Sequence, residues 1–174
     1  MEPAQPAFAH LVPLGRGADY LEEILEVLKP LALFEGFSAI ECGQLCEYLD
    51  CYGAPSSTTV IREGEAGDFL VIVLTGRVRV TKRAADGEDK AVAEVGPGAF
   101  LGEMSLIDGK PRFASCVSSE PVDLAALSRD KLNELMVDHP RLGQKLLLML
   151  LRLTTARLRD ATVRMLPHLV DVSV

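Results

Sequence analysis

The feature that most restricts the fold is a change of hydrophobic period near residue 58. Residues 58–103 read "TTVIREGEAGDFLVIVLTGRVRVTKRAADGEDKAVAEVGPGAFLGE", a stretch rich in Val, Ile, Thr and Phe and broken by glycines. Within it Arg77, Val78, Arg79 and Val80 alternate polar and apolar, as a strand with one buried face does. Asp86-Gly87 separates two such runs and predicts a hairpin turn, because glycine tolerates the positive φ that a tight turn requires. Short strands at this spacing predict an antiparallel β jelly-roll barrel. Residues 121–127, "PVDLAAL", read as its closing strand.

Helical patterns flank this block. In "DYLEEILEVLKPL" the residues Leu21, Ile24, Leu25 and Leu28 recur at helical intervals, Asp19 is placed to cap the start, and Pro30 interrupts the end. "SAIECGQLCEYL" follows, with Ser38 as N-cap and Glu41 three residues on as its capping-box partner. After the closing strand, Ser128 can cap "RDKLNELMVDHP". Residues 141–166 then run without a proline and predict a helix about 39 Å long. That helix is apolar on two faces: Leu142, Leu146, Met149 and Leu153 on one, Leu147, Leu150, Leu151 and Thr154 on the other. A surface helix needs only one apolar stripe. The second face therefore predicts either a homodimer through the same helix of another copy or burial within one chain. The fold class is α+β, mainly β: a jelly-roll barrel flanked by N-terminal helices and a long C-terminal helix. Residues 1–30 form an N-terminal segment with a helix, 31–140 the barrel domain with its flanking helices, and 141–174 the long helix and a short tail.

Several function classes fall away on composition. A net charge of −7 is the wrong sign for a surface that neutralises phosphates, so DNA is not an expected partner. The first ten residues lack the basic and apolar regions of a signal peptide, and the apolar run at residues 146–151 is far shorter than the roughly 20 residues a membrane span needs. The expectation is a cytoplasmic protein with no membrane contact. Cys42 and Cys46 share a helix face, but with Cys51 and no nearby histidine they make a poor metal set. Together with Cys116 they read as reduced, partly buried thiols. His10, His139 and His168 all lie outside the strand block, and neither a nucleophile elbow nor a P-loop occurs. Glu134, Asp138 and Asp160 fall on solvated helix faces. No enzyme activity, metal or cofactor is expected.

The residues that carry chemistry lie in "FLGEMSLIDGKPRFASCV", residues 100–117. A carboxylate, Glu103, follows Gly102; a guanidinium, Arg112, stands downstream beyond Gly109 and Pro111. The two can pair with each other, or they can be the two halves of a grip on a ligand. An exposed ion pair contributes only about 0–1 kcal/mol, a small return for so much local glycine and proline.

"GEMSLIDGKPRFAS" closely resembles the phosphate-binding cassette of the cyclic-nucleotide-binding domain family, which includes the catabolite activator and protein kinase A regulatory types. Upstream, Gly64, Gly67, Asp68 and Gly76 stand where that family places its punctuating residues, and the resemblance runs from about residue 31 to about 165. It implies a cyclic-nucleotide sensor, with cyclic AMP as ligand. Arg112 presents a bidentate donor fork to the phosphate. Glu103 accepts from the ribose 2′-hydroxyl, and Gly102 lets the backbone approach the sugar. Met104, Ser105 and Leu106 form a short helical turn whose N–H groups face the phosphate, while Phe113 and Ala114 supply backbone donors opposite. Val80 and Val92 line the sugar and base. Thr154 and Thr155 either reach the adenine amine or soften a dimer seam. Phe113 replaces a small or threonine side chain and cannot donate to guanine, which favours cyclic AMP. Activator-type members continue into a helix-turn-helix, whereas residue 174 is the last here, so the expected partner is an unidentified protein moved by the final helix. The alternative is an interaction module of the same fold that answers cyclic di-GMP, cyclic GMP or no ligand.

Overall fold

The structure is a computed structural model that describes residues 8–169. Among the described residues nine strands form two facing antiparallel sheets. The first has the order β1 (Val12–Arg16), β2 (Asp50–Ala54), β9 (Val122–Ser128), β4 (Phe69–Thr75) and β7 (Phe100–Leu101). The second runs β3 (Thr59–Ile61), β8 (Ser115–Ser118), β5 (Val78–Arg83) and β6 (Asp89–Val95). This is a jelly-roll-like pair of sheets and not the continuously closed barrel that the strand spacing suggested. The hairpin between β5 and β6 turns at Gly87 with φ +84°, as its Asp-Gly pair predicts.

Strand β4, "FLVIVLT", shows why a continuous apolar run and not an alternating one occupies the centre. Phe69, Val71 and Val73 pack between the sheets with Ile61, Val78, Leu101 and Leu124. Leu70, Ile72 and Leu74 face the other way, into a cluster built by the helices. A strand buried on both faces has no polar side to display. The helical layer comprises α1 (Leu21–Leu28), α2 (Ala39–Cys46), α4 (Arg129–Asp138) and α5 (Pro140–Leu169). The short α3 (Glu103–Asp108) lies within the site.

Local signals set the helix ends. Ser38 Oγ accepts from the Glu41 N–H at 3.2 Å while Glu41 Oε2 accepts from the Ser38 N–H at 2.8 Å, the reciprocal capping box. Ser128 Oγ accepts from the Lys131 N–H at 3.2 Å. The expected Asp19 cap is displaced. A 3-10 turn over Gly17–Tyr20 precedes α1, so Asp19 instead accepts from the Arg16 N–H at 3.2 Å. A second departure is β1, in a region read as helical or featureless. All five of its residues are exposed, and it exists because its backbone pairs with β2, not because of its own pattern.

Helix α5 buries Leu142, Leu146, Met149 and Leu150 against the helical cluster. Leu150, assigned from the sequence to the second face, belongs to the buried one. Lys145 ties this half to α2, 2.6 Å from Glu41 and 2.9 Å from the Gly36 carbonyl. The Lys145 hydrogen bond holds the Glu41 carboxyl below its ordinary range. Beyond Leu150 the partly buried Leu153 still packs on that cluster, while Leu151, Leu158 and Met165 are exposed. Among the described residues no helix is long and apolar enough to cross a membrane, and no cluster of three metal-ligating side chains occurs. Burial pushes the Cys46 and Cys116 thiols up to about 12 and Cys51 up to about 11, so all three stay protonated at neutral pH.

Candidate functional site

The site is assembled where β7 ends. Pairing with β4 holds Phe100 and Leu101 in a strand, and Gly102 then turns the chain with φ +82° and ψ +6°, a left-handed conformation that side chains with a Cβ avoid. Glu103 thereby becomes the first residue of α3 and points inward, 2% exposed. The segment carrying Arg112 is laid alongside by the loop after β3: the Arg112 N–H donates to the Glu65 carbonyl at 2.8 Å, and its carbonyl accepts from the Gly64 N–H at 2.9 Å.

Arg112 is 4% exposed. Its Nη1 donates to the carbonyls of Phe69 at 2.8 Å and Gly102 at 2.9 Å, and its Cζ lies 4.1 Å from the centre of the Phe69 ring. Two glycines make room for it. A Cβ on Gly67 would overlap Nε and Cζ, and one on Gly102 would stand 2.6 Å from Nη1. Burial pushes the guanidinium pKa down, against the pull of the Asp68 and Glu103 carboxylates. Nη2 is buried and has no hydrogen-bond partner among the described residues. A buried charged donor left without an acceptor is rare.

Glu103 does not take that role, because it is paired elsewhere. Its Oε1 accepts from Arg157 Nη1 of α5, 54 residues away in sequence, and Arg157 Nη2 donates to the Phe100 carbonyl at 2.6 Å. The sequence reading missed Arg157 altogether. It sits among several basic residues of an amphipathic helix, and nothing local distinguishes it from Arg152, Arg159 or Arg164.

The remaining candidates are placed unevenly. Gly102, Glu103 and Arg112 converge, and Ser105 is buried behind them with its carbonyl accepting from Arg129 at 2.8 Å. Met104 on α3 is 46% exposed, and Ala114 is half-buried. Val80 packs against the inter-sheet cluster. Val92 is the extra residue of a bulge opposite Val80 and Thr81 and is exposed. Thr154 spends its hydroxyl on its own helix, 3.1 Å from the Leu150 carbonyl, and Thr155 is exposed. Phe113 is 59% exposed. A separate hollow of about 550 Å³ lies among Arg62, Glu63, Arg83 and Asp89 and includes neither Glu103 nor Arg112. Its guanidiniums are already engaged, Arg62 with Glu65 at 3.2 Å and Arg83 with Asp89 at 3.5 Å.

Residues 54–139 match the sequence model of the family described as "Cyclic nucleotide-binding domain". A crystal structure of a cyclic nucleotide-binding domain from Methylobacillus flagellatus KT superimposes with a TM-score of 0.85 at 47% identity, covering 95% of this chain and 93% of that one. The chain belongs to the cyclic nucleotide-binding domain family. It is also 32% identical, over 73% of its length, to the CRP-like cAMP-activated global transcriptional regulator of Mycobacterium tuberculosis, of which it spans 57%. A co-crystal structure of the regulatory domain of Toxoplasma gondii protein kinase A with cAMP shares 32% identity and a TM-score of 0.60, covering 67% of this chain and 44% of that chain. The relatives are thus regulators and regulatory subunits. In this family frame the orphaned Nη2 lies at the cassette that the sequence motif marks.

Proposed function

We propose that this chain is a cyclic-AMP-binding sensor that passes the binding event to a partner protein through α5. The observation that carries the reading is the buried, unpartnered Nη2 of Arg112, which fits one equatorial oxygen of an anionic phosphodiester. In this reading Glu103, whose Oε1 already accepts from Arg157, takes the ribose 2′-hydroxyl on its other oxygen, and Phe113 offers no side-chain donor to a guanine. Arg157 supports the signalling step. It links α5 directly to Glu103, so a sugar arriving at that carboxylate changes how the helix is held and shifts the balance between two helix arrangements.

The deciding measurement is calorimetric titration with cyclic AMP. A ligand of about 22 non-hydrogen atoms at ~0.3–0.4 kcal/mol each is expected to bind with a Kd on the order of micromolar. Parallel titrations with cyclic GMP and cyclic di-GMP complete the test. Tighter binding of either overturns the choice of cyclic AMP, and heat from none of the three overturns the sensor reading.

Arg157→Ala should leave Glu103 buried without its cation. We expect a loss of about 1–3 kcal/mol, seen as a melting temperature lower by roughly 2–4 °C per kcal/mol. Adding Glu103→Gln should recover part of that loss. Two independent, additive losses would show that the pair does not couple α5 to the site.

The same helix also supplies the dimer seam we propose. Leu147, Leu151, Thr154, Leu158, Ala161 and Met165 follow one another at intervals of four and three, the spacing of a two-stranded helical seam. Leu147, Leu151, Leu158 and Met165 are 42%, 59%, 66% and 52% exposed, an apolar stripe that nothing among the described residues covers. Sedimentation should give twice the chain mass for the parent and a monomer for Leu151→Glu combined with Leu158→Glu. A doubly substituted protein that still sediments as a dimer would place the interface elsewhere.

A further inference from the structure

Phe113 is the one exposed phenylalanine among the large apolar side chains of the described residues, and it is not loose. Its carbonyl accepts from Lys82 Nζ at 2.6 Å, and the same ammonium sits 4.4 Å from the centre of its ring. Lys82 is fixed in turn by Glu63, whose Oε1 lies 2.6 Å from Nζ and whose Oε2 accepts from the Arg83 N–H at 2.9 Å. On β5 Lys82 alternates with Val78 and Val80, so it projects from the sheet face that meets the inter-sheet core. The chain bends at Phe113 and Ala114 before β8 begins, which frees Phe113 from strict strand alternation.

Scattered exposed apolar residues need no explanation. This one differs because a cation lies against the ring while more than half of the residue stays exposed, and its carbonyl is pinned by the same cation. It also follows directly on Arg112, whose Cα is ~3.8 Å from its own, and Arg112 holds the unpartnered Nη2.

Building on the cyclic-nucleotide reading above, we propose that Phe113, held by Lys82, is the base-stacking platform of the site and the residue that selects purine over pyrimidine cyclic nucleotides. A ligand that places its phosphate on Arg112 brings its base against the exposed ring. Stacking on an aromatic side chain is tolerant of base identity but grows with ring size, and a ring already immobilised loses little rotamer freedom on binding. Lys82 strengthens the arrangement because its charge lies against the same ring. The hydroxyl-bearing positions singled out in the sequence, Thr154 and Thr155, are not needed to hold the base in this scheme.

Three probes test this by titration: cyclic AMP, cyclic CMP, and base-free ribose 3′,5′-cyclic phosphate. The parent should bind cyclic AMP tightest. Phe113→Ala should weaken cyclic AMP about tenfold and the base-free sugar less than twofold. Phe113→Tyr should retain affinity. Phe113→Leu, which keeps apolar bulk without a π face, should lose most of what alanine loses. Lys82→Met should give a loss for cyclic AMP smaller than that of Phe113→Ala. Equal losses for cyclic AMP and the base-free sugar, or tighter cyclic AMP binding by Phe113→Ala, would overturn the platform while leaving the nucleotide reading intact. A parent that binds none of the three overturns the nucleotide reading and the platform together.

Discussion

Arg112→Lys is expected to weaken cyclic AMP binding by about 10–100-fold while the protein still folds. Arginine does two jobs at once here. Nη1 is spent on the Phe69 and Gly102 carbonyls, and Nη2, unpartnered among the described residues, is the donor we propose for the ligand. A lysine ammonium is a point charge on a flexible stem and cannot hold two carbonyls on one side while presenting a fixed donor on the other. Charge-assisted hydrogen bonds contribute about 1.5–3 kcal/mol each, so loss of the phosphate grip reaches the stated factor. In the parent, burial disfavours the charge of Arg112, and an anionic ligand relieves that. By mass action, cyclic AMP at 100 times its Kd should add about 2.7 kcal/mol. For Arg112→Lys the melting temperature should be lower without ligand and should not rise with it. A full ligand-induced rise in the variant would remove Arg112 from the phosphate.

Gly67→Ala is the second large effect, and it tests the space around that guanidinium. The backbone at Gly67 does not lie in the left-handed region, so alanine adds no conformational strain there. Its Cβ, however, would overlap Nε and Cζ of Arg112 and stand 2.5 Å from Nη2. The guanidinium has to move, and the carbonyls that aim it are lost or bent. Overpacking of this kind costs about 1–3 kcal/mol, and displacement of the one ligand-facing donor should weaken cyclic AMP binding by about 10–100-fold, the loss of one charge-assisted hydrogen bond. Gly87→Ala is the control. It lies in the β5–β6 hairpin with φ +84° and no neighbour within 4 Å, so strain should lower stability by about 1–2 kcal/mol without changing affinity. Equal affinities for Gly67→Ala and the parent would show that Arg112 is not held where ligand binding needs it.

Much of the architecture could be read along the chain. The Ser38–Glu41 box, the Ser128 cap, the Asp-Gly hairpin and the short α3 turn after Gly102 all formed as their residues require. Each depends on neighbours within a few positions, where propensity and hydrogen-bonding geometry are local. Strand β1 was not legible. Its residues carry no alternating pattern, and its pairing partner β2 is almost forty residues away. Leu150 was assigned to the wrong face for a similar reason: position on a helix wheel does not say which side the sheet lies on.

The candidate site divides along the same line. The chain by itself determined the family and the cassette with Glu103 and Arg112, because a short motif built on a left-handed glycine and a fixed interval is written in consecutive residues. Only the tertiary structure decided what those residues do with their charges. Glu103 meets Arg157 across 54 residues, Gly67 leaves the volume that Arg112 fills, and Lys82 from β5 clamps Phe113. Such contacts arise when separate elements pack around a shared core, and pairwise spacing in the sequence carries no record of them. Whether Glu103 and Arg112 belong to each other was therefore settled by packing: each has its own partner set, and Nη2 of Arg112 remains unpartnered among the described residues.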